Sequence, residues 1–391
     1  MPNRRVRFPT ERLNETVTCI RLPENGCQKK DSYREKTIVG NLFLPASRLI
    51  INRQHISAEF LQIRKCKMTL LKPLAVFCLS LSLVSTFAHA EAVAQVKTQP
   101  GYYRIMVGQY EITALSDGTN TMPMDKLLTR TPREKIVSLL DASYLKPQVE
   151  TSINAFLINT GKNLILVDSG TGALGGKTTG KTLTNLKAAG YKPEQVDTVL
   201  VTHLHADHFG GLVSDGKLVY PNAVIYVNQK DTDFWLSQDN LKKALKDKKA
   251  GFERVQEVFR HIREAGKLRT FTDNQSLPAN IVAVPTPGHT PGHTAFLVNS
   301  DGQKILLWGD IVHAEAVQMP LPDTAITFDS DSDQAVRTRD ALLKETVKQG
   351  YWVAGAHLPF PGIGHVAAQH DASGKTNGYR WLPVNYSLSG L

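Results

Sequence analysis

Cysteine is nearly missing from this chain. Among 391 residues there are four, Cys19, Cys27, Cys66 and Cys78, and none follows position 78. The long remainder can form no disulfide and offers no thiolate to a metal, so its stability must come from a hydrophobic core, for which about 300 residues are ample. Long apolar runs are also few. The one that stands out, Pro73 to Phe87, is shorter than the roughly 20 residues a membrane span needs. A charge imbalance is absent too once the first 90 residues are set aside. They carry 15 of the 46 Lys+Arg and 6 of the 36 Asp+Glu, which leaves 31 basic and 30 acidic residues behind. The basic pI of about 9.3 therefore belongs to the leading segment. It gives the main body no electrostatic footprint for nucleic acid.

The leading segment reads as an export signal. Met68-Thr69-Leu70-Leu71-Lys72 is a short basic start, Pro73–Phe87 an apolar middle, and Ala88-His89-Ala90 a small-residue cleavage site before Glu91. Residues 68–90 are expected to be a signal peptide cleaved after Ala90, which makes the working protein periplasmic or secreted with no stable membrane span. Export signals belong at the N-terminus. Residues 1–67, basic and without helical or strand period, are thus expected to be an upstream extension added by a misplaced start, with translation beginning at Met68.

What is abundant is histidine in one place. Residues 202–211 read Thr-His-Leu-His-Ala-Asp-His-Phe-Gly-Gly, so His203, His205, Asp207 and His208 put four potential metal ligands into six residues. His203 and His205 can point the same way only on extended backbone, where side chains repeat every two residues. Asp207 and His208 then sit on the following turn, aimed at a second point. Imidazole and carboxylate suit zinc and similar divalent ions, and a cluster this dense suggests two of them. A polar loop that happens to hold three histidines is the plainer alternative, but three apolar runs downstream each end in another ligand. These are Ile281–Val284 before His289, Lys304–Leu307 before Asp310, and Tyr351–Ala354 before His357. Taken singly each would be an ordinary polar residue at a strand end; together they describe a site along one edge of a sheet.

The succession H-x-H-x-D-H, a distant His, an Asp and a last His resembles the metallo-β-lactamase superfamily, over about 300 residues from near Gln99 onward. The resemblance implies an α/β fold, an αββα sandwich of the metallo-β-lactamase type, spanning residues 91–391 as one hydrolase domain. It implies two divalent ions, most readily Zn2+, one held by His203, His205 and His289 and the other by Asp207, His208 and His357, with Asp310 bridging. Asp310 and Asp207 are then the catalytic carboxylates: Asp310 orients a metal-bridging hydroxide that attacks an electrophilic carbonyl or phosphoryl centre, and Asp207 leaves room for the substrate oxygen.

Gly309-Asp310-Ile311-Val312-His313 and Ala356 to Val366 are similar to segments of methyl parathion hydrolase and its lactonase relatives. That likeness implies a small-molecule substrate (a lactone, aryl ester or phosphotriester), suggests a homodimer, and gives Trp235 and Phe252 the role of aromatic walls around the leaving group. One further aromatic of that family has no counterpart in Leu174-Gly175-Gly176. Lactones and aryl esters should therefore fit better than phosphotriesters, and Phe placed at Gly175 should shift the balance back.

Other residues carry second readings. Asp168, at the end of an apolar strand, is expected to orient a ligand imidazole, a plain turn carboxylate being the alternative. His293 is expected to support the site rather than ligate. His313 and His365 are read as scaffold hydrogen-bonding groups, His261 and His370 as surface residues, and the lysines of 242–249 as a solvated helix face. Trp235 and Phe252 have a core role as their bland alternative. Two other functions compete: a glyoxalase II-like thioester hydrolase, against which no basic C-terminal glutathione-binding residues are evident, and a non-catalytic metal-binding protein, against which all seven ligand positions are filled. A β-lactamase is disfavoured by His208 with His357, and a nuclease by the balanced charge and the export signal.

For local structure, the patterns predict strands in Tyr103–Ser116, a helix over Pro132–Leu140 forming a flap over the site, and a hairpin of Ile153–Asn159 with Asn163–Asp168. A helix follows over Lys181–Ala189, stopped by Gly190, then a strand over Val196–Val201. Two helices are expected over Asp231–Lys248 and Phe252–Glu264, paired strands around Ala295–Val298 and Lys304–Leu307, and a helix over Asp333–Gln349.

The export reading has a direct check. Protein recovered from the periplasm of a Gram-negative host should begin at or near Glu91 by intact-mass analysis, and an active species that retains residues 1–67 would refute both the start and the cleavage.

Overall fold

The computed structural model describes residues 95–388. The proposed signal peptide and the segment before it lie outside them. Among the described residues, no helix is long and apolar enough to cross a membrane.

Two sheets dominate. In the first, seven strands lie side by side in chain order: Tyr102–Val107, Tyr110–Pro123, Gln148–Asn159, Leu164–Val167, Thr198–Leu200, Val224–Asn228 and Leu268–Phe271. The first four pair antiparallel, the second and third joined by residues 124–147 with the helix Arg133–Ala142 and the other two connections by short turns; the rest pair parallel, with helices in the connections. The second sheet has six strands, again in chain order: Val282–Pro285, Thr294–Ser300, Gln303–Leu307, Trp352–Ala354, Ile363–His370 and Thr376–Pro383.

Residue parity along these strands builds four layers, because successive side chains face opposite ways. Phe156, Ile158, Ile165 and Val167 point inward and meet Phe296, Val298, Ile305 and Leu307 of the second sheet. Their neighbours Leu157 and Leu166 point outward and are covered by Leu186 of the helix Thr182–Ala188 and by Phe252, Val255, Phe259 and Ile262 of the helix Lys246–Glu264. On the other side Leu306 and Val353 pack under Leu342 and Leu343 of the helix Ser332–Gln349. This is the anticipated αββα sandwich.

Two local expectations need correction, and one hairpin was not anticipated. The predicted helix Asp231–Lys248 is broken into Gln229–Trp235 and Gln238–Lys243, and the next helix starts already at Lys246. The break at Ser237 is a cap: its hydroxyl accepts the Asn240 N–H and begins a new helix. The helix over Arg133–Ala142 forms but is not a flap. Ile136 and Leu140 pack it on Met124, Leu128, Val317 and Ile326 as a side cluster, and none of its residues lines the site cavity. The closing hairpin, Ile363–His370 with Thr376–Pro383, is not evident from its weak alternation.

A candidate dinuclear metal centre

The layers matter because of where strands end. Leu164–Val167, Thr198–Leu200 and Val224–Asn228 run parallel in the first sheet. In the second, Gln303–Leu307 and Trp352–Ala354 run parallel, and Val282–Pro285 shares their direction through the antiparallel Thr294–Ser300 between them. Just past the carboxyl ends of these six strands stand Asp168, His203, Asp231, His289, Asp310 and His357. Short, fully packed strands leave such tips little freedom.

His203 and His205 follow extended backbone, and His205 opens the single turn Ala206–Phe209 that carries Asp207 and His208. Ligand atoms of His203, His205, His289 and Asp310 lie within 4.8 Å of one another, as do those of Asp207, His208 and His357. Asp310 touches both groups. Its Oδ2 is 3.5 Å from His203 Nε2, 3.2 Å from His289 Nε2 and 3.1 Å from His357 Nε2, while its Oδ1 is 3.2 Å from His208 Nε2. Asp207 Oδ2 is 3.4 Å from His357 Nε2 and 3.6 Å from His208 Nε2.

Outer hydrogen bonds aim the rings. Asp168 Oδ2 sits 2.8 Å from His208 Nδ1, Asp329 Oδ1 2.9 Å from His289 Nδ1, and the Ser152 carbonyl 2.9 Å from His357 Nδ1. Each fixes which nitrogen faces inward. Asp168 does so at φ 59°, a left-handed backbone that Asp tolerates, while accepting the Thr202 N–H and hydroxyl. His293 supports the bridge from behind: its Nε2 accepts the Asp310 N–H, and its Nδ1 faces Thr286. Gly309 is required here. It has φ 58°, and a Cβ would come within 2.7 Å of His293 Nε2.

His313 departs from its expected scaffold role. It is buried, neither ring nitrogen has a hydrogen-bond partner, its Nε2 is 3.2 Å from Asp310 Oδ2, and its ring stacks on His357. Its place three residues after Asp310, in the loop beyond Gln303–Leu307, gave no hint that the ring turns into the cavity. His365 does bond the Tyr351 carbonyl.

Several supporting residues were invisible in the sequence because their partners are remote in the chain. Asp231, fully buried, accepts from the Leu204 N–H between the first two histidines and from Thr290 and Gly292 in the next histidine loop, so it ties the two loops together. Burial pushes its carboxyl up to about 6, against three hydrogen bonds that pull it down. Asp117 stands at a bulge in its strand between Ser116 and Gly118 and accepts bonds from Thr171, Gly180 and Thr182, stapling the 171–182 loop.

That loop walls a cavity of about 650 Å³ whose floor includes His205, Asp207, His289, Asp310, His313 and His357. Trp235 and Phe252 line it as well as being buried. Their ring centroids are 4.6 Å apart, and Trp235 meets His205 edge-on at 5.6 Å. Leu174, Gly175 and Gly176 line the other side. Gly175 has no room for a side chain, since a Cβ would stand 2.2 Å from the hydroxyls of both Thr171 and Thr179; Gly176 faces open space. The position at which a ring could be added is 176, not 175.

Electrostatically the site is unbalanced as it stands. Burial and the neighbouring His208 hold His203 well below the ordinary imidazole range. Burial also lowers His289, but its contacts with Asp310 and Asp329 outweigh this and push it up to about 9. His208 and His357 are raised despite burial, chiefly by Asp310. The surrounding imidazoles hold Asp310 well below the carboxylate range, against burial. His205 Nδ1 lies 3.1 Å from His203 Nε2 and 2.9 Å from His289 Nε2, so three ring nitrogens converge on one point. His208 Nε2 and Asp310 Oδ1, both buried, stand 3.2 Å apart as an ion pair but make no hydrogen bond. A hard or borderline divalent cation satisfies this donor set, so the residues fit a dinuclear metal site.

The profile of the metallo-beta-lactamase superfamily matches residues 149–357, from the strand before the cavity to the last histidine of the cluster. The chain belongs to that superfamily. Among solved structures it is similar to the hydrolase AbOPH of the β-lactamase superfamily, with 40% identity, a TM-score of 0.70, and coverage of 74% of this chain and 100% of that one. It is also similar to AidC, a dizinc quorum-quenching lactonase solved with N-hexanoyl-L-homoserine, at 27% identity, TM-score 0.68, and coverage of 73% and 98%. Curated relatives match over less. Exodeoxyribonuclease WalJ of Streptococcus pneumoniae is 34% identical over 32% of this chain and 39% of its own length. An atrochrysone carboxyl ACP thioesterase of Passalora fulva is 30% identical over 41% and 38%. The chain thus spans about two fifths of these relatives.

Two outcomes follow from the geometry. Metal binding requires neutral imidazoles, whereas His289, pushed up to about 9 by Asp310 and Asp329, holds a proton at pH 7 in the metal-free protein. Loading the protein at pH 7 should release protons, seen as a buffer-dependent enthalpy in calorimetry, and affinity should fall as pH is lowered. Asp231→Ala strands two buried backbone N–H groups and should lower unfolding stability by about 3 kcal/mol; a urea midpoint unchanged from the parent would refute the clamp.

Proposed function

We propose that the chain is an exported dinuclear hydrolase of lactones, aryl esters or phosphotriesters, similar to methyl parathion hydrolase, and that its metals are zinc. The observation that carries this reading is Asp310. A single buried carboxylate contacts both donor groups at the floor of a cavity large enough for a small ester and walled by aromatic rings. The likeness to AidC favours a lactone, and the likeness to AbOPH over the whole of that chain supports a hydrolase.

In this reading His203, His205 and His289 would hold one ion and Asp207, His208 and His357 the other, with Asp310 within reach of both groups. Bound divalent ions would lower the pKa of a water to about 7 and offset negative charge on the oxygen of the transition state. The protein does the rest. Asp168, Asp329 and Ser152 keep the imidazoles aimed, so little reorganisation is needed during reaction. Trp235 and Phe252 present ring faces to a flat leaving group, worth roughly 0.5–1.5 kcal/mol per aromatic pair beyond burial. His313 offers an uncommitted imidazole beside Asp310.

The relative that is an ACP thioesterase gives thioester hydrolysis a place among the substrates to try. A panel of lactones, aryl esters, thioesters and phosphotriesters on zinc-loaded protein tests the reading, with lactonase or arylesterase activity expected above methyl parathion hydrolysis. Two ions per chain are expected. Asp310→Ala should cost about 10²–10³-fold in kcat, while His293→Ala should retain most of its metal. Full activity with one ion per chain would overturn the dinuclear mechanism. Gly176→Phe should raise the phosphotriesterase rate relative to the lactonase rate, and an unchanged ratio would show that this wall does not set selectivity.

A further inference from the structure

The helix Lys246–Glu264 forms one wall of the cavity with Gly251 and Phe252, and on the same wall it carries two cations, Lys248 and Arg254. Lys248 and Phe252 are four residues apart and share a face. Both cationic side chains are exposed, and among the described residues neither has a carboxylate within ion-pair distance. Of the other cations nearby, Lys242 lies 3.7 Å from Asp239 and Arg260 is bracketed by Glu257 and Glu264, while Lys243, Lys246, Lys249 and Arg263 do not line the cavity. The acids of the helix do not line the cavity; Glu253 and Glu257 line a separate surface groove with Arg260. The carboxylates that do line the cavity, Asp207, Asp310 and Asp329, all face imidazoles. The helix thus turns uncompensated positive charge toward the leaving-group side, beside Phe252.

We propose that Lys248 and Arg254 recognise an anionic group, a carboxylate, on the part of the substrate that departs, so that the preferred substrates are esters or lactones of an acid-bearing alcohol or phenol. The proposal rests on the hydrolase reading above. Exposed cations at a cleft raise the encounter rate of an anion and orient it, with an effect that salt screens.

The test compares 4-nitrophenyl acetate with 3-carboxy-4-nitrophenyl acetate on zinc-loaded protein. In each, a bond forms from the water oxygen to the acyl carbon, the ester C–O bond breaks, and acetate, the phenolate and protons are released. The parent should favour the carboxylated ester in kcat/KM. The double variant Lys248→Glu/Arg254→Glu should lower the ratio of carboxylated to neutral ester by about tenfold at low ionic strength, and by much less at about 0.5 M salt. Lys249→Glu, on the same helix but off the cavity wall, should leave that ratio as in the parent. A ratio moved less than about twofold by the double variant, with the neutral ester still cleaved, overturns the proposal. If neither ester is cleaved, the hydrolase reading fails instead, and the charged wall is then judged by binding. 5-Hydroxy-2-nitrobenzoate titrated into metal-stripped protein should bind about tenfold more weakly to the double variant, and equal affinity overturns the proposal.

Discussion

The structure depends on a buried conflict around Asp310. Five imidazole nitrogens, from His203, His208, His289, His313 and His357, stand within 3.5 Å of one carboxylate, and the ring nitrogens of His203, His205 and His289 approach one another at about the same distance. In water such groups would separate. Here they are pinned from outside by Asp168, Asp329, the Ser152 carbonyl and His293, and by strands packed too tightly to yield. Without cations the cluster is a reservoir of unfavourable free energy, and with two of them it becomes a satisfied set of ligands. Metal affinity and fold stability are therefore two faces of the same arrangement.

The sandwich makes this feasible. Inward and outward residues alternate along both sheets, so one layer of apolar contact locks the sheets to each other and two more lock the helices outside. Six strand ends then converge on one edge without any of them needing length; Thr198–Leu200 and Trp352–Ala354 have three residues each. Loops that follow short rigid strands can hold ligands closely. The cost moves to the supporting carboxylates, which is why Asp117 and Asp231 are buried in the midst of backbone N–H groups that only they satisfy.

The cavity is less constrained than its floor. Trp235 and Phe252 belong to the core cluster under the helix Lys246–Glu264 and also line the cavity. The opposite wall is a stapled glycine-rich loop in which Gly175 is sterically closed and Gly176 open. Floor and walls are thus separable: the floor follows from the ligands, and the walls from how two remote segments happen to meet.

Much of this was legible in the chain. The histidine cluster of 203–208 and the three apolar runs ending in His289, Asp310 and His357 declare a metal centre because ligand chemistry is carried by residue type and the strands are marked by local apolar pattern. The αββα class followed from the same motif, and hairpins such as Leu164–Val167 against its neighbour followed from alternation and turn residues. Whatever depended on partners distant in sequence was not legible. Asp231, Asp329 and Asp117 look like ordinary carboxylates until folding places each against donors tens of residues away. His313 reads as scaffold until its ring is seen turned onto His357, and the helix break at Ser237 is set by a hydroxyl cap rather than by any helix-breaking residue. Local pattern and side-chain chemistry, being properties of neighbours along the chain, determined the ligands and the layers. Orientation, exclusion of water and the shape of the cavity are properties of neighbours in space, and those were decided only when the two sheets closed on each other.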